Sequence, residues 1–199
     1  MEDSLRSIVS LARKLGKNVP EFVFVGDDYL IPYELNKIMQ RVFTHLLRNS
    51  IDHGIEGPNE RIYDGKPHSG RIIFHITYQD NVLSIRYEDD GRGLDISSLK
   101  KTIKIDNPIR QDIIESIFTS VTSTSASITD ISGRGIGMAA VRSFLEDSGG
   151  SIEVDPKEIN SAFQPVFFTI TIKPKQKLKN IRHLIGFNPR FQNKQARGF

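Results

Sequence analysis

Phe43-Thr44-His45-Leu46-Leu47-Arg48-Asn49-Ser50-Ile51-Asp52-His53-Gly54 is the stretch on which the reading of this chain turns. Its apolar positions continue upstream through Leu35, Ile38, Met39 and Val42 at steps of three and four, which predicts one amphipathic helix from Glu34 to a break at Gly54. His45, Asn49 and His53 fall at steps of four and so line a stripe beside the apolar one. Two readings of that stripe stand side by side, a solvated helix edge and an edge turned towards a ligand. Asparagine offers a neutral carbonyl oxygen suited to magnesium already held by phosphates, and histidine can hydrogen-bond or carry a proton.

On the amino-terminal side, Leu5, Ile8, Val9, Ala12 and Leu15 predict a helix over 4–17 with a stop at Gly16, and Glu21 to Val25 reads as a short strand. Beyond Gly54, a turn-rich segment from Gly57 to Gly70 leads into two β-branched and aromatic runs, Arg71 to Tyr78 and Val82 to Glu88, which Gln79-Asp80-Asn81 joins as a hairpin. Asp95 to Phe118 mixes helical spacing with an interruption at Pro108, and Thr119 to Asp130 is a Ser/Thr-rich segment read as a mobile loop. Gly133-Arg134-Gly135-Ile136-Gly137 opens a helix through Met138, Val141, Phe144 and Leu145 that stops at Gly149-Gly150. Two strands follow, Ser151 to Val154 and Val166 to Ile172, the second alternating Val166, Phe168, Ile170 and Ile172 against Phe167, Thr169 and Thr171. Helices and strands intermix without regular βαβ units, so the expected class is α/β with a mixed sheet and helices layered on one face.

At 199 residues and 38% hydrophobic content, the chain is long enough to close one sizeable core and too short for two domains. It has no cysteine, which excludes a disulfide framework, a thiolate metal cluster and a cysteine nucleophile. The start lacks a basic stretch followed by an apolar core, and no run approaches the roughly 20 apolar residues of a membrane span, so a cytoplasmic chain with no membrane span is expected. The net charge of +3 is uneven: no acid follows Glu158, while eight Lys and Arg residues from Lys173 to Arg197 do, leaving −5 for the rest. That basic tail reads as a solvated extension or a contact for phosphates or an acidic partner, and nucleic-acid binding is not inferred from it.

Two further motifs carry chemistry. Asp89-Asp90-Gly91-Arg92-Gly93 follows a strand, and a carboxylate fixed at a strand end can accept from an exocyclic amine while glycines let backbone approach a flat base. The plain alternative is a glycine turn with solvated acids. Gly133, Gly135 and Gly137 leave backbone N–H groups free to converge on phosphate oxygens, and the following helix start adds its positive dipole end. The glycine spacing is not the dinucleotide fingerprint, and the run before it is no strand.

In this order, the motifs resemble a known family. The segment from Phe43 to Glu56 is similar to the N box of CheA-type chemotaxis histidine kinases, Asp89 to Asp95 resembles their first glycine box, and Ser132 to Met138 with Val141-Arg142 resembles their second. Leu11-Ala12-Arg13-Lys14-Leu15-Gly16-Lys17 resembles their junction between dimerisation helices and catalytic domain, and the similarity runs from about Ser10 to Pro174. The resemblance implies the Bergerat fold shared with gyrase, HSP90 and MutL, a two-layer α/β sandwich, mostly antiparallel, that holds ATP under a flexible lid. It implies that Asp89 accepts from the adenine amine, that Gly91 and Gly93 shape the base pocket, and that Asn49 binds Mg2+. His45 would contact the terminal phosphate and assist its transfer, and Gly133, Gly135 and Gly137 would line the triphosphate. Asp52, His53, Leu94, Ser123, Arg134 and Ile136 complete the expected nucleotide contacts. The implied reaction moves the γ-phosphoryl group to a histidine on a phosphoacceptor domain, from which a response regulator draws it, with receptor or adaptor proteins of a signalling array as further partners.

The chain also departs from that pattern. The family's lid reads Phe-x-Pro-Gly-Phe-Ser-Thr, whereas Phe118-Thr119-Ser120-Val121-Thr122-Ser123-Thr124 keeps only the first Phe and the last Ser-Thr. No cation follows before Arg134, and Lys100, Lys101 and Lys104 are the candidates to substitute. The closing Gly-x-Gly-Thr is replaced around Phe163-Gln164-Pro165. Two alternatives therefore stand beside an active kinase: a nucleotide-binding scaffold without efficient transfer, and an ATPase of the gyrase or MutL kind. The expected division is the end of a dimerisation-like helix over 1–17, the catalytic domain over 18–174 and the basic tail over 175–199.

Overall fold

A computed structural model describes residues 2–103, 105–119, 137–156 and 163–180. In chain order they form α1 (Glu2–Lys14), β1 (Glu21–Gly26), β2 (Tyr29–Leu30), α2 (Tyr33–Asn49), α3 (Pro58–Tyr63), β3 (Arg71–Gln79), β4 (Val82–Asp89) and β5 (Leu94–Asp95). Then come α4 (Ile96–Thr102), α5 (Arg110–Thr119), α6 (Met138–Asp147), β6 (Gly150–Pro156), β7 (Phe163–Gln164), β8 (Val166–Ile172) and β9 (Lys179–Asn180). Of the expected Ser/Thr-rich loop from Thr119 to Asp130, Thr119 is instead the last residue of α5; the rest of it, Lys104, and the site candidates Ser123, Gly133, Arg134, Gly135 and Ile136 lie outside the described residues.

The main sheet has five strands in the order β1-β3-β4-β8-β6. Only β1 is parallel to its neighbour, Glu21 pairing with Arg71 and Gly26 with Ile76; the other pairs are antiparallel. The hairpin between β3 and β4 closes on two residues, Asp80 (φ 51) and Asn81 (φ 60), both left-handed as a tight twisted hairpin requires. Two short pairs, β2 with β9 and β5 with β7, trim the sheet's surroundings.

One face of the sheet supplies Ile72, Phe74, Leu83, Ile85, Tyr87, Ile152, Val154, Ile170 and Ile172 to the core. The apolar stripe predicted for α2 packs on that face through Leu35, Met39, Val42, Phe43, Leu46 and Leu47, with Val141 and Leu145 of α6 and Ile117 and Phe118 of α5 beside it. α1 joins the same core through Ile8 and Ala12, and Leu178, just before β9, is buried in it. The other face is polar or lightly covered, for example by Arg86 lying 3.8 Å over the Phe167 ring. Among the described residues, no helix is long and apolar enough to cross a membrane.

The long helix differs from expectation in its last turn. It is α-helical to Asn49 and then widens into a π turn, Ser50–Gly54, in which Ile55 N–H donates to Ser50 O at 2.7 Å, five residues back.

The helix and sheet meet through aromatic rings, Phe43 standing edge-on to Phe74 at 5.2 Å. Phe43→Ala is expected to destabilise the fold by about 3–5 kcal/mol, read as a lower urea midpoint at unchanged slope. A loss under about 1 kcal/mol would show that α2 and the sheet do not share one core.

Candidate functional site

The end of β4 and the end of α2 meet at Asp89. Strand alternation puts Tyr87 and Asp89 on the same inward face, Tyr87 fully buried and Asp89 at the mouth. Ser50, buried on the π turn, donates its hydroxyl proton to Asp89 Oδ2 at 2.5 Å. Its single proton is thereby spent, so the Tyr87 hydroxyl, 2.7 Å from Ser50 Oγ, is the donor in that pair. Gly91 N–H donates to Asp89 Oδ1 at 3.0 Å.

Burial pushes the Asp89 carboxyl above its ordinary value. The Ser50 and Gly91 hydrogen bonds work against that rise, and the charges of Asp90 and Glu56 add to it. Burial, then the nearby Asp89 charge, raises the Tyr87 hydroxyl well above its ordinary value, so it stays a neutral donor.

Close backbone contact explains the glycine. A Cβ on Gly91 would lie 2.3 Å from Gly54 O and 2.8 Å from Asp89 Oδ1, a space no other residue fits. Arg92 N–H completes the contact by donating to Gly54 O at 2.9 Å. The π turn and the Asp89 turn are thus docked backbone to backbone.

Asn49 is exposed at the last α-helical position of α2, and its Nδ2 approaches Met138 Sδ at 3.5 Å. Met138 is the first residue of α6, directly after Gly137, so Asn49 stands beside the helix start that the second glycine loop opens. His45, one turn earlier, is half-buried, and burial followed by the Arg48 charge lowers its pKa, which leaves a neutral imidazole at pH 7. Asp52 is half-buried with Arg48 Nε at 3.4 Å, and His53 is exposed on the widened turn. Gly93 takes φ +82, and Leu94 begins the short pair with β7 opposite Gln164.

Several structural participants escaped the motif reading. Arg61 of α3 is fully buried and holds Glu56 at 3.0 Å, Asp90 at 2.8 Å and the Pro67 carbonyl at 2.7 Å. Lys66 holds Glu56 at 2.6 Å, and Asp90 also accepts from Arg71 N–H at 2.7 Å. Burial pushes Glu56 up, but the Lys66 hydrogen bond, a backbone bond and the Lys66 and Arg61 charges hold its carboxyl below the usual value. Lys17 caps the π turn from below, donating to the carbonyls of Ile51 at 2.6 Å and Asp52 at 3.2 Å. Period-two alternation back from Asp89 would have found Tyr87; Glu56 and Arg61, five apart, match no helical or strand spacing.

The fold and this meeting of two motifs and a helix start define a class, an α/β sandwich with one composite site. The family described as histidine kinase-, DNA gyrase B-, and HSP90-like ATPase matches residues 35–177. The chain is 32% identical over 189 residues to the gliding motility regulatory protein of Myxococcus xanthus, covering 90% of this chain and 23% of that protein. It is 32% identical over 176 residues to the chemotaxis protein CheA of Bacillus subtilis, covering 84% and 26%. The chain thus spans about a quarter of the length of these relatives. A solved mycobacterial sensor histidine kinase, MprB, shares the fold at a TM-score of 0.51 and 16% identity, over 86% of this chain and 94% of that one. The chain belongs to the histidine kinase-, DNA gyrase B- and HSP90-like ATPase family, and over most of its length it is similar to a segment of CheA chemotaxis proteins.

The raised pKa of Asp89 has a measurable sign. A carboxyl that holds its proton more tightly when folded favours the folded state at low pH, and that contribution is lost as pH rises from its unfolded value through its raised folded one. Asp89→Asn lacks the titration, so the stability of the natural chain relative to this variant should fall as pH rises upward from about 4. A difference that is flat with pH, measured by urea unfolding across that window, would show that Asp89 is not perturbed by burial.

Proposed function

We propose that this domain transfers the γ-phosphoryl group of ATP to a histidine on a separate phosphoacceptor domain. The observation that supports it most is the convergence at one helix end of Ser50 with Asp89, at 2.5 Å, and of Asn49 with the start of α6, at 3.5 Å. In this reading Asp89 accepts from the adenine amine, and Gly91, Gly93 and Leu94 shape the base pocket. Asp52 and His53 stand at the ribose and phosphate side, and Ser123, Gly133, Arg134, Gly135, Ile136 and Gly137 serve the triphosphate.

Asn49 would hold Mg2+ through its carbonyl oxygen together with phosphate oxygens, its amide NH2 being turned to Met138. The donor chemistry fits that division, since an amide oxygen is a hard, neutral ligand suited to an ion whose shell is supplied mainly by phosphates and water. The ion, when bound, supplies charge neutralisation on the phosphates. His45, neutral at pH 7, would hydrogen-bond the terminal phosphate and orient it. An imidazole nitrogen of the acceptor histidine then forms a P–N bond as the bond from the γ-phosphorus to the β–γ bridging oxygen breaks, and ADP leaves with that electron pair. A response regulator would receive the phosphoryl group next, with receptor or adaptor proteins setting the rate, all in the cytoplasm.

A second reading has its own observation. Ser120-Val121-Thr122 stands where the kinase lid pattern has Pro-Gly-Phe, which favours an ATP-binding scaffold that transfers poorly.

Calorimetry with a non-hydrolysable ATP analogue tests the pocket. Asp89→Ala should cost about 1–3 kcal/mol or more and abolish measurable binding, while Asn49→Ala should remove the tightening by Mg2+ and spare metal-free binding. Unchanged affinity in Asp89→Ala would defeat the assignment. For the reaction, His45→Gln should leave analogue affinity within about twofold and slow phosphorylation of a supplied phosphoacceptor domain by roughly 100-fold. Tight binding with no transfer by the natural chain would select the scaffold.

A further inference from the structure

We infer that Lys66 is a positioning residue that sets the aim of Asp89 by turning two consecutive peptide planes, an inference that rests on reading Asp89 as the acceptor for the base amine. In a trans peptide, the C=O and N–H of one plane point in opposite directions. Lys66 Nζ donates to the carbonyl of Asp90 at 3.1 Å and to that of Gly91 at 3.2 Å. The far side of the first plane is Gly91 N–H, which reaches Asp89 Oδ1 at 3.0 Å. The far side of the second is Arg92 N–H, which reaches Gly54 O at 2.9 Å. One ammonium therefore orients both the carboxylate's amide donor and the backbone link to the π turn.

The ammonium is itself held. Its third contact is Glu56 Oε1 at 2.6 Å, and buried Arg61 grips Glu56 and Asp90 from the other side, adding a long contact to the Asp90 carbonyl at 3.4 Å. All three ammonium protons have acceptors. With Oδ2 taken by Ser50 and Oδ1 by Gly91, the carboxylate plane is fixed, and the remaining lone pairs are left for an incoming donor.

A purely packing role explains this poorly. Apolar residues of similar shape often match or exceed a buried ion cluster in stability, but they cannot draw two carbonyls to one side. Lys66 also keeps 31% of its side chain exposed, and Glu56 retains Arg61 without it, so its loss strands no sealed charge.

The test is calorimetry of the full chain with ADP and, separately, with inorganic triphosphate. Lys66→Met should bind ADP about tenfold more weakly and triphosphate unchanged, at a thermal midpoint within about 3 °C of the natural chain. Lys66→Arg, which restores donors, should return ADP affinity to within about twofold. An equal loss for both ligands, or no loss for ADP, overturns the inference. Asp89→Ala run in parallel separates the two failures: if it loses ADP while Lys66→Met does not, only the positioning role falls, and if it binds ADP normally, the base pocket falls with it. Should Lys66→Met not fold, Lys66→Gln, with fewer donors, should bind ADP more weakly than Lys66→Arg, and equal binding overturns the role.

Discussion

A carboxylate that leaves water must find donors inside the protein, and the hydrogen bond from Ser50 to Asp89 is where this domain meets that demand. The donor comes from a helix and the acceptor from a strand, so the bond also joins the two layers. Its geometry makes further demands. The helix must widen into a π turn after Asn49, the backbone at Gly54 must touch the backbone at Gly91, and neither neighbour leaves room for a Cβ at Gly91. One polar contact thereby dictates a helix irregularity and a residue type far apart in the chain.

Around that contact the protein spends charge rather than apolar surface. Glu56, Arg61, Lys66 and Asp90 form a connected set in which Arg61 and Glu56 are buried and Lys66 keeps one side to solvent. Desolvating such groups is costly unless every donor and acceptor is satisfied, and here the backbone carbonyls of Pro67, Asp90 and Gly91 complete the set. A second charged joint lies at the other side of α6, where Arg142 grips Glu115 of α5 in two bonds of 2.7 and 3.2 Å and lies 3.5 Å over the Phe118 ring. The first joint ties α3 to the Asp89 turn, and the second ties α5 to α6.

How far the sequence could be read follows from the range of each interaction. α2 and β8 were legible because their apolar periodicity is local, and the β3–β4 hairpin because Asp80 and Asn81 tolerate the left-handed turn it needs. The π turn was not, since its residues carry on an ordinary helical pattern, and the contacts it makes with the Asp89 turn come from far along the chain. Of the site, Asp89, Asn49 and Gly91 stood out by motif, while Ser50 and Tyr87 were visible only as neighbours of motif residues. Arg61 and Lys66 were not legible, because what pairs them with Glu56 and Asp90 is the path of the turn around α3 rather than any repeat.

The lone parallel pairing in the sheet bears on how the domain assembles. β3 and β4 are neighbours in sequence and close on a two-residue turn, whereas β1 reaches β3 only after α2 and α3 have been threaded between them. The entropy of closing so long a segment must be met before the pairing returns anything, so the hairpin is the natural seed and the β1 edge a late addition. The edge strand, with Phe24 and Val25 about half exposed, is then the margin from which the sheet would first unzip, ahead of the central β3–β4 pair.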